Sequence, residues 1–99
     1  MSDKTTLVVT AVPNPSEMAS VQEYLKGLMR LLMGVGGKLM KRQKVGKVIH
    51  GSKSGMVLVM DFDSSDAVTA MFESDDYAAL VPVRDRGFAE MNILLTHEM

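Results

Sequence analysis

The sequence predicts an α+β domain whose strands and helices follow the order β-α-β-β-α-β. Three observations support this class. Four segments have the length and composition of strands, capping signals begin a helix after the first and third of them, and a glycine-rich turn separates the first helix from the second strand. A chain of 99 residues is near the commonest domain size and can bury one core. We therefore expect a single domain over residues 1–99.

The first element is a strand, and a helix follows it. Leu7 to Val12 is a continuous apolar run that ends at Pro13, which favours a strand buried on both faces. Asn14 can cap the helix, and Pro15 suits its first position because the missing N–H costs nothing there. An apolar stripe at helical spacing then comprises Met18, Val21, Leu25, Leu28 and Leu32. This stripe must face a sheet or another helix.

A glycine turn ends this helix, and a basic strand begins after it. The glycines that can adopt the positive φ needed to close a helix are Gly34, Gly36 and Gly37. We predict the second strand from Lys38 to about His50, with Gly46 as a candidate bulge. Residues 38–53 carry six of the eleven Lys and Arg residues and no acid, whereas residues 61–76 carry six acids and no base.

The second half of the chain repeats the strand and helix pattern. Met56 to Phe62 alternates between its two sides, which predicts a strand that pairs back as a hairpin. Asp63 or Ser64 can cap a second helix. Ser74 restarts a helical turn, and Pro82 makes one regular helix through to the last strand unfavourable.

The last strand is predicted from Met91 to His97. Right-handed crossovers then place both helices on one face of a four-stranded antiparallel sheet, which is the ferredoxin-like arrangement. The open face of such a sheet should be polar unless something covers it. Here it would carry five large aliphatic residues, Val8, Val12, Val57, Val59 and Leu94. A patch of this kind indicates a partner, and the simplest is a second copy packed sheet to sheet about a two-fold axis.

The basic second strand raises the question of nucleic-acid binding. Ferredoxin-like sheets that bind RNA need aromatic platforms on their central strands, and the strand GMVLVMDF has Met, Leu and Val at those positions. The net charge of −1 also argues against a polyanion partner. Protection of a sheet edge by lysines explains the basic strand better, so we expect no nucleic-acid partner.

Composition limits the chemistry further. The chain has no cysteine, which excludes disulfides, thiolate metal sites and a cysteine nucleophile. It has no paired histidines and no suitably spaced carboxylates, so we expect no metal and no cofactor. The first ten residues lack the features of a secretion signal, and no apolar run approaches the length of a membrane span. We expect a cytoplasmic protein with no membrane partner.

The chain carries GGKLMKR at 36–42, HG at 50–51, VLVMDFDSSDAVTAMFESDDYAAL at 57–80, Arg84, and NILLTHE near its end. These segments resemble the small bacterial family catalogued as domain of unknown function 1330. The resemblance implies a dimeric α+β barrel, in which two ferredoxin-like protomers pack their sheets together. The family has no established activity. Its wider superfamily includes cofactor-free oxygenases, muconolactone isomerases, haem-degrading enzymes and ligand-sensing modules.

Two departures from the family pattern bear on the site. Family members tend to read GGR-x-x-x-RGG, and this chain matches Arg42 but replaces the following glycines by Gln43 and Lys44. Where members tend to have Glu-Gly, this chain has His50 and Gly51. A role of that glutamate in acid–base chemistry therefore does not carry over unchanged.

Five residues are candidates for a site. Arg84 matches a family arginine and can hold a carboxylate in a two-pronged grip, although an ion pair with an acid of segment 61–76 would explain it as well. Arg42 is a second candidate for ligand binding. Tyr24 and Tyr77 could offer hydroxyl groups to the same cleft, or serve as aromatics at the core edge. His50 could shuttle protons near neutral pH, or lie solvated at a strand end.

Two functions remain open. The first is a homodimeric, non-catalytic module that binds a small, partly apolar molecule, with or without a carboxylate, between sheet and helices. The second is a cofactor-free isomerase or monooxygenase-like enzyme acting on a small carboxylated or aromatic substrate, in which His50 handles protons and Arg84 anchors the substrate. Haem degradation is disfavoured because the chain has no Trp.

Overall fold

The structure, a computed structural model, describes residues 4–99. Its strands are β1 Thr5–Pro13, β2 Lys38–Lys44, β3 Met56–Phe62 and β4 Phe88–Thr96. Its helices are α1 Met18–Gly34, α2 Ser65–Phe72, α3 Asp75–Ala78 and α4 Val81–Gly87, and a short 3-10 turn, Pro15–Glu17, precedes α1. Residues 1–3, the start of the segment expected to lack a secretion signal, lie outside the described residues.

The four strands form one antiparallel sheet in the order β2-β3-β1-β4. The molecule measures 44 × 34 × 17 Å, and its thin dimension fits one sheet and one layer of helices. This topology confirms the predicted ferredoxin-like arrangement, with β2 and β4 at opposite edges of the sheet.

The core lies between the helices and one face of the sheet. Along β1, buried residues alternate with half-buried ones, and Leu7 and Val9 point to the helix side together with Leu58 and Met60 of β3. Within the protomer β1 is buried on one face only, because no second layer of residues 4–99 covers the opposite face. On that open face, Val8 lies directly between its partners on the two neighbouring strands, Val59 and Leu94.

The buried stripe of α1 differs from the predicted one at two positions. Met18 is 46% exposed and Leu25 only half-buried, whereas Tyr24 is completely buried between Val21 and Leu28. Spacings of three and four residues allow either stripe. The aromatic ring at position 24 therefore enters the core through a helix face that the sequence pattern left ambiguous.

Strand β2 is shorter than predicted. It ends at Lys44, and its register shift lies between Leu39 and Lys41 rather than at Gly46. The following connection, residues 45–55, is held at its base by a bond from Gly55 N–H to the Ala11 carbonyl at 2.7 Å. The break between α3 and α4 agrees with the expected effect of Pro82.

Candidate functional site

A cleft opens between the helices α2 to α4 and the edge strand β4. Its two adjoining cavities have volumes of about 330 and 390 Å³ and share Arg84 and Ile93. The helix side of the smaller cavity consists of Val68, Thr69, Phe72, Tyr77 and Arg84. The sheet side consists of Leu7, Ile93 and Leu95. The walls of the smaller cavity are therefore largely apolar, whereas the larger cavity is lined by the charged residues Arg84, Asp85 and Glu90 among others.

The local sequence places Tyr77 and Arg84 at this cleft. The Ser74 side chain caps α3 by accepting a hydrogen bond from Tyr77 N–H at 3.2 Å, which fixes Tyr77 in the first turn. Helix α4 begins one residue before Pro82, and the Leu80 carbonyl accepts the N–H of Arg84 at 2.8 Å. The two short helices thus bring residues seven positions apart into contact.

A chain of hydrogen bonds links the core to the cleft. The hydroxyl oxygens of Tyr24 and Tyr77 are 2.9 Å apart. Arg84 donates from Nη1 to the Tyr77 hydroxyl oxygen at 3.1 Å and from Nε to Asp85 Oδ1 at 3.2 Å. Tyr24 is completely buried, Tyr77 is 5% exposed, and the Arg84 side chain is 29% exposed. The guanidinium group is therefore held in one orientation at the boundary between core and solvent.

The environment sets the charge of these groups. Burial raises the pKa of Tyr24, and the hydrogen bond to Tyr77 raises it further, so the phenol stays protonated at neutral pH. Partial burial lowers the pKa of Arg84, but its bonds to Tyr77 and Asp85 outweigh that effect and leave the pKa raised. Arg84 is thus permanently positive, and the carboxylates of Asp85 and Glu90 line the larger of the two cavities beside it.

Aromatic rings surround this chain of hydrogen bonds. Tyr24 meets Phe88 edge to face with ring centres 5.5 Å apart, and Phe72 meets Tyr77 in the same way at 4.9 Å. Four of the five aromatic residues in the chain are gathered here. The sequence did not identify Phe72 and Phe88 as site residues. The scarcity of aromatics was the one signal available, because only the fold brings residue 24 to residues 72–88.

The structure does not bring the other two candidates to this cleft. Arg42 is exposed on β2, opposite Leu58, and β2 is separated from β4 by about 14 Å of sheet. His50 is exposed in the connection 45–55, six residues beyond the end of β2. Of the five candidates, Arg84, Tyr77 and Tyr24 therefore form one group, and Arg42 and His50 lie outside it.

The two arginines of α4 have different surroundings. Arg86 donates from Nε to Ser20 Oγ at 2.8 Å and lies 3.8 Å from Glu17 Oε1, so it braces α4 against the start of α1. The acid next to Arg84 is its sequence neighbour Asp85 and not a member of segment 61–76. This neighbour accepts from Nε, and among residues 4–99 no hydrogen bond from Nη2 is present.

A larger cavity of about 550 Å³ lies at the other end of the sheet. Charged residues dominate its walls, among them Lys4, Lys38, Asp61 and Asp63. Across residues 4–99, no group of three or more His, Asp or Glu side chains is arranged to hold a metal ion. None of the described helices has the length and apolar character needed to cross a membrane.

Comparison with known proteins agrees with the fold. The family model described as domain of unknown function DUF1330 matches residues 5–99. A search of curated proteins finds no match.

Three solved structures illustrate the similarity. A protein of unknown function from Rhodopseudomonas palustris superposes with a TM-score of 0.82 at 12% identity, over 100% of this chain and 85% of the other. A candidate antibiotic biosynthesis monooxygenase from Nitrosomonas europaea gives 0.70 at 11%, over 100% and 93%. A dimeric protein of unknown function with a ferredoxin-like fold from Bacteroides fragilis gives 0.63 at 10%, over 97% and 97%. At such identities the similarity establishes the fold alone.

Proposed function

Because this chain belongs to the family described as domain of unknown function DUF1330, which is defined by no activity, we propose a function from its cleft: it is a homodimeric protein that binds a small, partly apolar carboxylate between sheet and helices. The observation that carries the proposal is Arg84, fixed by Tyr77 at the mouth of an apolar cleft.

The guanidinium group has donors to spare. An arginine has five N–H groups, and here one from Nε goes to Asp85 and one from Nη1 goes to Tyr77. Three N–H groups remain, and the side chain is exposed enough for a ligand to reach them. A planar guanidinium group with free N–H bonds matches the geometry of a carboxylate or a phosphate oxyanion.

The rest of the cleft suits a small apolar body. A volume of about 330 Å³ lies at the lower end of the range for small-molecule sites. The walls beside Arg84 are the side chains of Val68, Phe72, Ile93 and Leu95. A ligand with a carboxylate at one end and a short aliphatic or aromatic body would therefore satisfy both parts.

The open face of the sheet supports the dimer. It carries the expected residues Val8, Val12, Val57, Val59 and Leu94, all of them half-buried or exposed in the protomer. The protomer exposes 6615 Å², compared with roughly 5,500 Å² for a monomer of 10.8 kDa. An excess of about 1,000 Å² is similar to the area that each partner loses in a standard interface. The similar protein from Bacteroides fragilis is itself dimeric.

The alternative function is a cofactor-free isomerase or monooxygenase-like enzyme. The similarity to the candidate monooxygenase from Nitrosomonas europaea favours it. Under this alternative Arg84 anchors the substrate and His50 handles the proton. The exposed position of His50 outside the cleft favours the binding protein over the enzyme. In either case, the absence of cysteine fits a reducing, cytoplasmic compartment.

Titration followed by two-dimensional NMR tests the proposal, with benzoate as the carboxylate and benzamide as its neutral counterpart. We expect benzoate to shift resonances of Arg84, Thr69 and Ile93 and to bind more tightly than benzamide. Arg84→Met should weaken benzoate binding by at least about tenfold, because a hydrogen-bonded charge is lost. Arg86→Met is the matched control, since Arg86 contacts Ser20 outside the cleft and should leave affinity unchanged.

Two results would contradict the proposal. In the first, benzoate and a panel of short aliphatic carboxylates leave the cleft resonances of the wild-type protein unshifted. In the second, benzoate binds the Arg84→Met variant as tightly as the wild type.

A further inference from the structure

We infer that Tyr77 donates its hydroxyl proton to the ligand beside Arg84, and that Tyr24 is a positioning residue that turns this proton toward the cleft. The inference rests on the proposed function, because it assigns roles to the polar groups of the same cleft. The sequence does not distinguish these two tyrosines, but the inference gives them different roles in ligand binding.

The hydrogen-bond chain of Tyr24, Tyr77 and Arg84 contains two hydroxyl protons, one on each tyrosine. The Tyr77 hydroxyl oxygen accepts a bond from Arg84 Nη1 at 3.1 Å and lies 2.9 Å from the Tyr24 hydroxyl oxygen. Each phenol has one proton, so only one of the two tyrosines is the donor in their mutual bond. The distance between the two hydroxyl oxygens does not show which tyrosine is the donor.

Burial decides between the two directions. Tyr24 is completely buried, and within the described residues its hydroxyl group has Tyr77 as its hydrogen-bond partner. If Tyr77 were the donor, the proton of Tyr24 would be left in the core without an acceptor, which folded proteins avoid. Burial also raises the pKa of Tyr24, so this proton is retained. Tyr24 therefore donates to Tyr77.

The proton of Tyr77 must then point elsewhere. Its oxygen already accepts bonds from Tyr24 and Arg84, so its own O–H is directed away from both, on the side where Tyr77 lines the cavity. Accepting two hydrogen bonds also polarises this O–H and strengthens it as a donor. A neutral O–H and a guanidinium N–H thus converge on one ligand atom.

This arrangement selects the class of ligand. An oxygen with negative charge, such as one oxygen of a carboxylate or of a similar oxyanion, accepts from both donors more strongly than a neutral carbonyl oxygen does. A ligand that presents an amine or ammonium group here would face two donors and no acceptor. The cleft is therefore expected to discriminate by the direction of its hydrogen bonds as well as by charge.

The test compares Tyr77→Phe with Tyr24→Phe in the same benzoate and benzamide titrations. Tyr77→Phe should weaken benzoate binding roughly tenfold, and benzamide binding less, because a bond to a charged acceptor is worth more than one to a neutral acceptor. Tyr24→Phe should weaken benzoate binding by about two- to threefold, less than Tyr77→Phe, because the Tyr77 hydroxyl group remains but loses the bond that orients and polarises its O–H.

The opposite proton direction gives opposite results. If Tyr77 donated to Tyr24, Tyr77→Phe would leave benzoate binding intact. Tyr24→Phe would then release the Tyr77 proton for the ligand, and benzoate would bind more tightly. Either result overturns the inference. An equal loss of benzoate and benzamide in Tyr77→Phe would also overturn it, because a packing role alone would explain such a loss.

Two further variants separate this inference from the proposed function. If Arg84→Met leaves benzoate affinity unchanged, the proposed function fails and the inference fails with it. If Arg84→Met abolishes benzoate binding and Tyr77→Phe does not weaken benzoate binding, the inference alone fails.

Ser20→Ala is a control variant that removes the hydrogen bond from Arg86 to α1 without changing Tyr77. It should leave both affinities unchanged, and a loss equal to that of Tyr77→Phe would overturn the inference.

Discussion

The hydroxyl oxygens of Tyr24 and Tyr77 lie 2.9 Å apart, although 53 positions separate the two residues in the sequence. Tyr24 belongs to α1 and Tyr77 to α3, so this contact joins helices from the two halves of the fold within the single helical layer. The rings also meet nearly at right angles, with centres 6.4 Å apart. A buried polar contact of this kind ties the stability of the protein to the protonation of one phenol.

We predict that Tyr24→Phe changes the dependence of stability on alkaline pH. Burial raises the pKa of Tyr24 in the folded state above its ordinary value near 10. Above about pH 10 the unfolded chain therefore loses this proton while the folded protein keeps it, and stability falls by about 1.4 kcal/mol per pH unit. Urea unfolding at neutral pH and at several values above pH 10 measures the effect in both proteins.

At neutral pH the wild type should be the more stable protein by about 1 kcal/mol, because it retains the hydrogen bond. The difference should shrink as the pH rises above 10, since Phe has no proton to lose. Lysine titration affects both proteins alike and cancels in the comparison. A difference that stays constant from neutral to alkaline pH would contradict the prediction.

Local signals in the sequence were sufficient for several elements. The strand Met56–Phe62 was predicted with the bounds that the structure gives. Ser64 and Ser74 each accept the backbone N–H expected of a cap, from Ala67 and Tyr77. Such features depend on a few neighbouring residues, so they can be predicted from the sequence without knowledge of the fold.

Features that depend on distant partners could not be predicted in the same way. Val45, Val48 and Ile49 continue the composition of a strand beyond Lys44, but β3 begins at Met56, opposite Lys44. Val45 N–H still bonds to the Gly55 carbonyl at 2.9 Å, and the ladder does not extend to Val48 and Ile49. The register of the hairpin therefore decides where β2 ends.

The candidate site also depends in part on distant partners. Arg84 and Tyr77 are close in sequence, so their proximity can be predicted from it. Whether Tyr24 or Leu25 is buried depends on the packing of α1.

We predict that Gly37→Ala destabilises the protein and that Gly34→Ala does not. A Cβ at Gly37 would lie 2.8 Å from the Leu32 carbonyl oxygen and equally close to the side chains of Met60 and Phe62. Overpacking of this kind costs about 1–3 kcal/mol, and the backbone oxygen cannot move aside easily. Urea unfolding gives the free energy directly.

Gly34→Ala is the matched control within the same turn. A Cβ at Gly34 meets no atom within 4 Å, and Gly34 ends α1 without a positive φ. Alanine should therefore be neutral or stabilise the helix by up to about 1 kcal/mol. Equal destabilisation by both substitutions would show that the close contact at Gly37 is not the cause.

We predict that His50→Ala and His97→Ala behave alike in a binding protein. Both side chains are exposed, so each substitution should change the free energy of unfolding by less than about 0.5 kcal/mol. Benzoate affinity should also stay unchanged, because neither side chain lines the Arg84 cleft. The enzyme alternative makes a different prediction, namely a turnover that His50→Ala abolishes and His97→Ala preserves.

The dimer is tested by placing a charge on the open face of the sheet. Leu94 is 50% exposed in the protomer and lies beside Val8, so Leu94→Glu should cost the isolated protomer little. In a sheet-to-sheet dimer the same substitution buries an unpaired carboxylate in each copy, which costs several kcal/mol and should weaken association by at least about a hundredfold. Native mass spectrometry and sedimentation at micromolar concentration measure the oligomer.

Ile49→Glu separates this effect from a general effect of added charge. Ile49 is 91% exposed and lies in the connection 45–55, outside the strands that form the open face. This variant should remain dimeric while Leu94→Glu becomes monomeric. If Leu94→Glu stays dimeric, or the wild type is already a monomer, the valines of the open face are covered in some other way and the sheet-to-sheet dimer is wrong. If only Ile49→Glu dissociates, the interface lies at the β2 to β3 connection instead.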